Sequence, residues 1–255
     1  MVNPKRVVLD EKKRGEALTL FNSSNDTASY TISFIHYEMN EDGTFKNVDS
    51  TAARSSEFAD SLLRFFPFTV TLAPHSSQTV RVHLMKPKDL EPGEYRTGLL
   101  FKELERAKSL EEQAKDPNQK TLSLNVHAIF SIAIPVLVRY QTIPPSVYLD
   151  KLTISKPDSA NKIVMSVDIH REGNQSCYGT IVLTHKSTSG KSTLIGTMKG
   201  IAVYVPLKLR KALVEFVVPP GVDLTQGSLH VEYQTLTDSP TESILGATDL
   251  NLASK

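Results

Sequence analysis

The chain has 255 residues, 40% of them hydrophobic, and its 29 basic and 28 acidic side chains leave a net charge of +1. That length fits one large or two ordinary domains, and the near-balance of charge excludes a global electrostatic pull toward nucleic acid. No stretch approaches the ~18 consecutive apolar residues of a membrane helix, and the single cysteine, Cys177, forbids an internal disulfide.

In chain order the first half reads as β-structure. The N-terminus, MVNPKRVVLD, has no apolar central run of the secretory type, so the chain is expected to be either cytosolic or a mature form behind an added Met. Arg6–Leu9, Ala17–Phe21 and Tyr30–Tyr37 are β-branched or aromatic runs of strand length. Asn40-Glu41-Asp42-Gly43 supplies a turn, and Ala73-Pro74-His75-Ser76-Ser77 another, between Phe68–Leu72 and Thr79–Leu84. Pro92-Gly93 precedes a run at Glu94–Phe101. Turns at this spacing with little helical periodicity point to a β-sandwich. The one helix-like stretch, Glu103–Lys115, is densely charged and ends at Asp116-Pro117-Asn118; it reads as a solvated connection.

Residues 121–134 then alternate without a fault. Leu122, Leu124, Val126, Ala128, Phe130, Ile132 and Ile134 are apolar at every second position, with Thr121, Ser123, Asn125 and His127 between the first of them. A strand sends alternate side chains to opposite faces, so one face is an unbroken apolar ridge. At ~3.3 Å per residue the ridge runs about 43 Å, long for a strand in a globular domain. If the home domain is too short to cover it, the excess is a partner site.

A Pro-Pro pair at Pro144-Pro145 ends the first domain, because proline cannot donate to a ladder and holds its predecessor extended. The expected division is therefore a first domain over residues 1–141, a stiff linker over 142–146 and a second domain over 147–255. In the second, strands are expected at Leu152–Ser155, Lys162–His170, Gly179–His185, Gly200–Val205, Leu213–Val217 and Ser228–Gln234, with turns at Ser187-Thr188-Ser189-Gly190 and Pro219-Pro220-Gly221. This is again the size of a small β-sandwich. The fold class is all-β, with two immunoglobulin-like β-sandwich domains.

Several segments, taken in order, carry a resemblance. The first domain reads N-P-K-R-V-V-L at 3–9, L-T-L-F-N at 18–22, and F-P-F-T-V-T-L-A-P-H-S-S-Q-T-V-R-V at 66–82. It continues with P-G-E-Y-R-T-G-L-L-F at 92–101 and I-P-V-L-V-R at 134–139. The second adds N-Q-S-C-Y-G at 174–179, A-V-Y-V-P at 202–206 with Arg210, and G-S-L-H-V-E-Y at 227–233. At those distances the set resembles the PapD-like periplasmic chaperones of the chaperone–usher pilus pathway, and the I-P-V-L-V-R ending is more similar to the archaic-type (non-classical) branch. The likeness spans nearly the whole chain, although each segment alone is a generic strand or turn.

The resemblance implies two immunoglobulin-like domains in an L or boomerang, and a mechanism. Pilin subunits of such systems are sandwiches lacking their last strand; the chaperone lends its own, caps the subunit and delivers it to an outer-membrane usher. On this reading Leu122, Leu124, Val126 and Ala128 enter the subunit, while Phe130, Ile132 and Ile134 stay in the home core. Arg6 matches the arginine that binds the subunit's C-terminal carboxylate, a role that suits a forked, permanently charged guanidinium. The lysine that other members carry on the long strand falls near Ala133 and is absent here. Lys5 and Arg139 are the neighbouring cations, though in a strand Lys5 points opposite Arg6. The implied location is the periplasm, and the free protein is expected to cover its ridge by self-association or by a loop.

Other chemistry finds no support. The seven histidines, His36, His75, His83, His127, His170, His185 and His230, show no ligand pair at short spacing, and with one cysteine no zinc site or other cofactor is expected. Gly190-Lys191-Ser192 lacks the first glycine of a phosphate loop, and no catalytic constellation points to an enzyme. Basic residues are dispersed rather than striped, which disfavours nucleic acid. The competing class is a paired immunoglobulin-like binding or adhesion module without a folding role.

Overall fold

A computed structural model of the chain describes residues 1–48, 58–85, 90–104, 131–156, 158, 160–236 and 243–252. The chain divides into two compact units: Met1–Tyr37 with Asn47–Tyr140, and Glu38–Lys46 with Gln141–Lys255.

The first half contains β1 (Val2–Asn3), β2 (Val7–Leu9), β3 (Gly15–Phe21), β4 (Ala28–Ile35), β5 (Tyr37–Met39) and β6 (Phe45–Asn47). Then come β7 (Leu63–Phe66), β8 (Thr69–Leu72), β9 (Ser77–Leu84), β10 (Gly93–Glu103) and β11 (Ser131–Tyr140). Two sheets, ordered β1-β3-β9-β7 and β2-β11-β10-β4-β8, form the first unit, and β5 pairs with β6 as a hairpin. The order is that of an immunoglobulin-like sandwich, with the first strand split between the sheets. Alternation builds the core: Val80, Val82 and Leu84 point in from β9 while Arg81 and His83 point out. Leu18 and Leu20 meet them from β3, and Leu99, Val136 and Val138 from the other sheet. Burying such a side chain stabilises the fold by roughly 1.5–3 kcal/mol.

The run expected at Tyr30–Tyr37 is interrupted at His36, which is buried, lies 4.2 Å from the Phe58 ring and reaches Asp60 at 3.5 Å. The Asn40–Gly43 turn forms as expected, with the Gly43 N–H donating to the Asn40 carbonyl at 2.9 Å. Gly43 has φ 83°, a left-handed backbone that favours glycine, and a Cβ there would run into the Arg210 guanidinium. The helix-like stretch lies almost entirely outside the described residues; its first residue, Glu103, ends β10.

The second unit holds β12 (Ser146–Ile154), β13 (Lys162–Glu172), β14 (Cys177–Lys186), β15 (Ser192–Val203), β16 (Leu209–Val217), β17 (Ser228–Thr235) and β18 (Ile244–Asn251). Sheets β12-β13-β16 and β15-β14-β17-β18 enclose Ile163, Met165, Ile181, Leu183 and Val231. β15 starts eight residues before the expected Gly200, because Gly196 and Gly200 interrupt its apolar pattern without ending its pairing with β14. Arg171 is also fully buried; its guanidinium donates to the carbonyls of Leu207, Gly173 and Gln175 and so ties two loops to the sheet. Thr142 and Ile143, in the linker region, are bonded to Gln175 and Asn174 of the same unit.

Candidate functional site

β11 carries the end of the ridge. It pairs antiparallel with β10 from Lys102↔Ser131 to Gly93↔Tyr140. On its other side β2 pairs parallel over Val136, Leu137 and Val138 only. Among the described residues, therefore, no strand flanks Ser131–Pro135 on that side. The backbone edge there is the kind onto which another strand adds.

Burial along the ridge changes over one step. Val138 and Val136 are fully buried and Ile134 is 4% exposed, but Ile132 is 40% exposed. Across the sheet Ile132 pairs with Phe101, which pairs with Ile32, and both of those are buried. The home sandwich thus covers the ridge up to Ile134 and releases it at Ile132. This corrects the expectation that Ile132 belongs to the home core; Ile134 does belong to it. Ile132 lies on the half of β11 that β2 does not reach. Phe130 and the expected subunit-binding residues Leu122, Leu124, Val126 and Ala128 lie outside the described residues.

Arg6 stands immediately before β2, half-buried, one residue ahead of the Val7↔Val136 pair. Continuing that register sets it beside Pro135, next to the open edge. Ala133, opposite Leu100, confirms that β11 offers no cation at that position. Of the neighbouring cations, Lys5 is exposed. The Arg139 Nε donates to Glu94 Oε2 at 2.9 Å, and the Glu94 side chain is wholly buried. Arg139 is thereby committed to neutralising a buried carboxylate inside its own sheet. Sequence reasoning missed Glu94, because its place across the ladder from Arg139, 45 residues away, is set by the β10–β11 register.

Cys177 is 2% exposed, and burial pushes its thiol up from the ordinary range, which disfavours the nucleophilic thiolate.

No protein-family model and no curated protein matches the chain. Among solved structures it is similar, over 96% of both chains at 14% identity and a TM-score of 0.48, to a chain of the chaperone–tip adhesin complex of CFA/I fimbriae. It is similar to the Pseudomonas aeruginosa CupB2 chaperone over 99% of this chain and all of that one, at 13% identity and a TM-score of 0.44. The E. coli chaperone DraB matches over 98% and 96%, at 15% identity and a TM-score of 0.44. Likeness at this level carries no functional assignment.

Proposed function

We propose that the protein is a pilus-assembly chaperone that lends its long alternating strand to pilin-like subunits, caps them and delivers them to an outer-membrane usher in the periplasm. One observation carries the reading: the ridge of β11 is anchored in the home core through Ile134 and emerges at Ile132, on an edge that no described strand covers. The ordered sequence segments quoted above support the same reading. Strand addition supplies backbone hydrogen bonds of generic affinity, and the alternating side chains Leu122, Leu124, Val126 and Ala128 fill the subunit's open core. Arg6, beside that edge, is the anchor for the subunit's terminal carboxylate, and with Ala133 apolar and Arg139 engaged it carries this role without a lysine partner.

The test is co-expression with a pilin subunit that lacks its last strand, followed by isolation of the complex. The expected result is a one-to-one complex that Leu124→Asp or Val126→Asp abolishes while the variant keeps its fold, because an unpaired carboxylate in an apolar groove costs several kcal/mol. Arg6→Ala should weaken capture strongly and Arg6→Lys restore it in part. Unfolding of the Leu124 and Val126 variants would place those residues in the home core and remove the proposal. Capture by Arg6→Ala at wild-type yield would remove Arg6 from the site.

A further inference from the structure

The second unit holds a mixed nitrogen and oxygen donor set that nothing in the proposed chaperone role uses. On the outer face of β13, Asp168 and His170 stand two residues apart, and across the ladder they pair with Asp150 and Tyr148 of β12. The candidate ligand atoms of Asp150, Asp168 and His170 all lie within 4.8 Å of one another. His170 Nε2 faces Asp150 Oδ1 at 2.8 Å, and its ring stacks flat on Tyr148 with 4.3 Å between centroids and 6° between planes, which fixes the direction of its nitrogen. Asp168, on the central strand, is only 5% exposed.

A buried carboxylate beside a second one calls for a cation, and the chain supplies one in an unusual way. The β12–β13 register shifts between Asp150 and Thr153, and Lys151 takes a left-handed backbone with φ 49°. That bulge turns Lys151 onto the outer face, where its Nζ donates to Asp168 Oδ2 at 3.0 Å. The Lys151 side chain is nevertheless 69% exposed, so it loses little by swinging back into water. The other cation opposite Asp168, Lys211, is bound instead to Glu41 at 2.6 Å.

We propose that Asp150, Asp168 and His170 form a site for a borderline divalent transition ion such as Zn²⁺, which enters by displacing the Lys151 ammonium. Two carboxylates balance the charge of the ion once the amine leaves. The imidazole selects against the hard ions Ca²⁺ and Mg²⁺, which take oxygen ligands. Ligands about 2.0–2.2 Å from a tetrahedral zinc stand roughly 3.3 Å apart, so closure from the observed spacing needs shifts of about 1 Å or a little more. Water completes the coordination on the exposed side.

The experiment is calorimetric titration of the full chain with ZnCl2, and with CaCl2 as control, in a non-chelating buffer. One Zn²⁺ should bind per chain at micromolar concentration, with no Ca²⁺ binding in the same range. His170→Gln and Asp168→Asn should each weaken Zn²⁺ binding at least tenfold, and Lys151→Met should tighten it severalfold by removing the competitor. A merely structural ion pair gives no such gain. Absence of binding up to 1 mM Zn²⁺, full-strength binding by His170→Gln, or unchanged affinity in Lys151→Met would each overturn the proposal. Should a variant lose its fold, imidazole NMR of the wild type decides: Zn²⁺ shifts the His170 ring resonances if the site is right and leaves them unmoved if it is wrong. None of these readouts depends on subunit capture.

Discussion

The last strands of the two sandwiches, β11 and β18, occupy the same topological place beside the penultimate strand, yet they are built differently. β11 lies between β10 and β2 and sends Ile134, Val136 and Val138 into the core with almost no exposure. β18 is the edge of its sheet, has no fully buried residue, and contributes only the partly buried Leu245 and Leu250 to its core. Its Gly246 passes so close to β12 that a Cβ would lie 3.0 Å from the Val147 carbonyl oxygen. The difference is one of anchoring: over residues 136–138, β11 is held by a ladder on either side and a saturated core beneath. β18 has neither and serves to close its own sheet.

The contrast breaks first at the centre of β11. Val136→Asp places a carboxylate in the core without a partner and should cost about 4 kcal/mol or more, while Ala247→Lys, on the exposed face of β18 opposite Glu232, should stay within about 0.5 kcal/mol. Urea unfolding of both variants measures this, and similar costs would mean that the two strands are equally peripheral. Next in size is Arg139→Met. It leaves the buried Glu94 carboxylate without its charge partner and should cost on the order of 3 kcal/mol. A near-neutral result would return Arg139 to the list of cations available to a subunit.

Much of this was legible in the sequence, for a physical reason. Period-two alternation in β3, β9 and β13 comes from bulky aliphatic residues on one face, and each of those strands appears where its pattern lies; of the alternation at 121–134 only residues 131–134, the start of β11, lie among the described residues. β18, I-L-G-A-T-D-L-N, escaped notice because glycine and alanine dilute its apolar face. β1 and β6 are too short to show any period. At the site, the alternation of residues 121–134 and the strand-like run at Arg6–Leu9 could be read directly, although of the former only residues 131–134 lie among the described ones. The point where the ridge leaves the core could not, since it depends on where β2 stops pairing with β11. The Asp150, Asp168 and His170 cluster was hidden for a similar reason. Two of its members are two residues apart, but the third arrives only through the β12–β13 register, and no spacing rule for metal motifs covers that.

The smallest effect tests the boundary itself. Ile134 and Ile132 are the same residue type on the same face of the same strand, separated by one step of the ridge. Ile134→Ala removes fully covered methyl groups and should cost about 3 kcal/mol. Ile132→Ala removes groups already 40% in water, on the part of β11 that β2 does not reach, and should cost about 1 kcal/mol or less by the same urea titration. The order should reverse when capture of a strand-deficient subunit is measured. Covering the exposed part of Ile132 is worth on the order of 1 kcal/mol to a complex, and Ile132→Asp adds the cost of burying a carboxylate beneath the partner. That variant should therefore fold nearly as well as the wild type and capture subunit at least tenfold more weakly. If Ile132→Asp unfolds the protein as Val136→Asp does, the home core extends past Ile132. If it folds and captures normally, the partner surface begins further up the ridge, beyond Ser131.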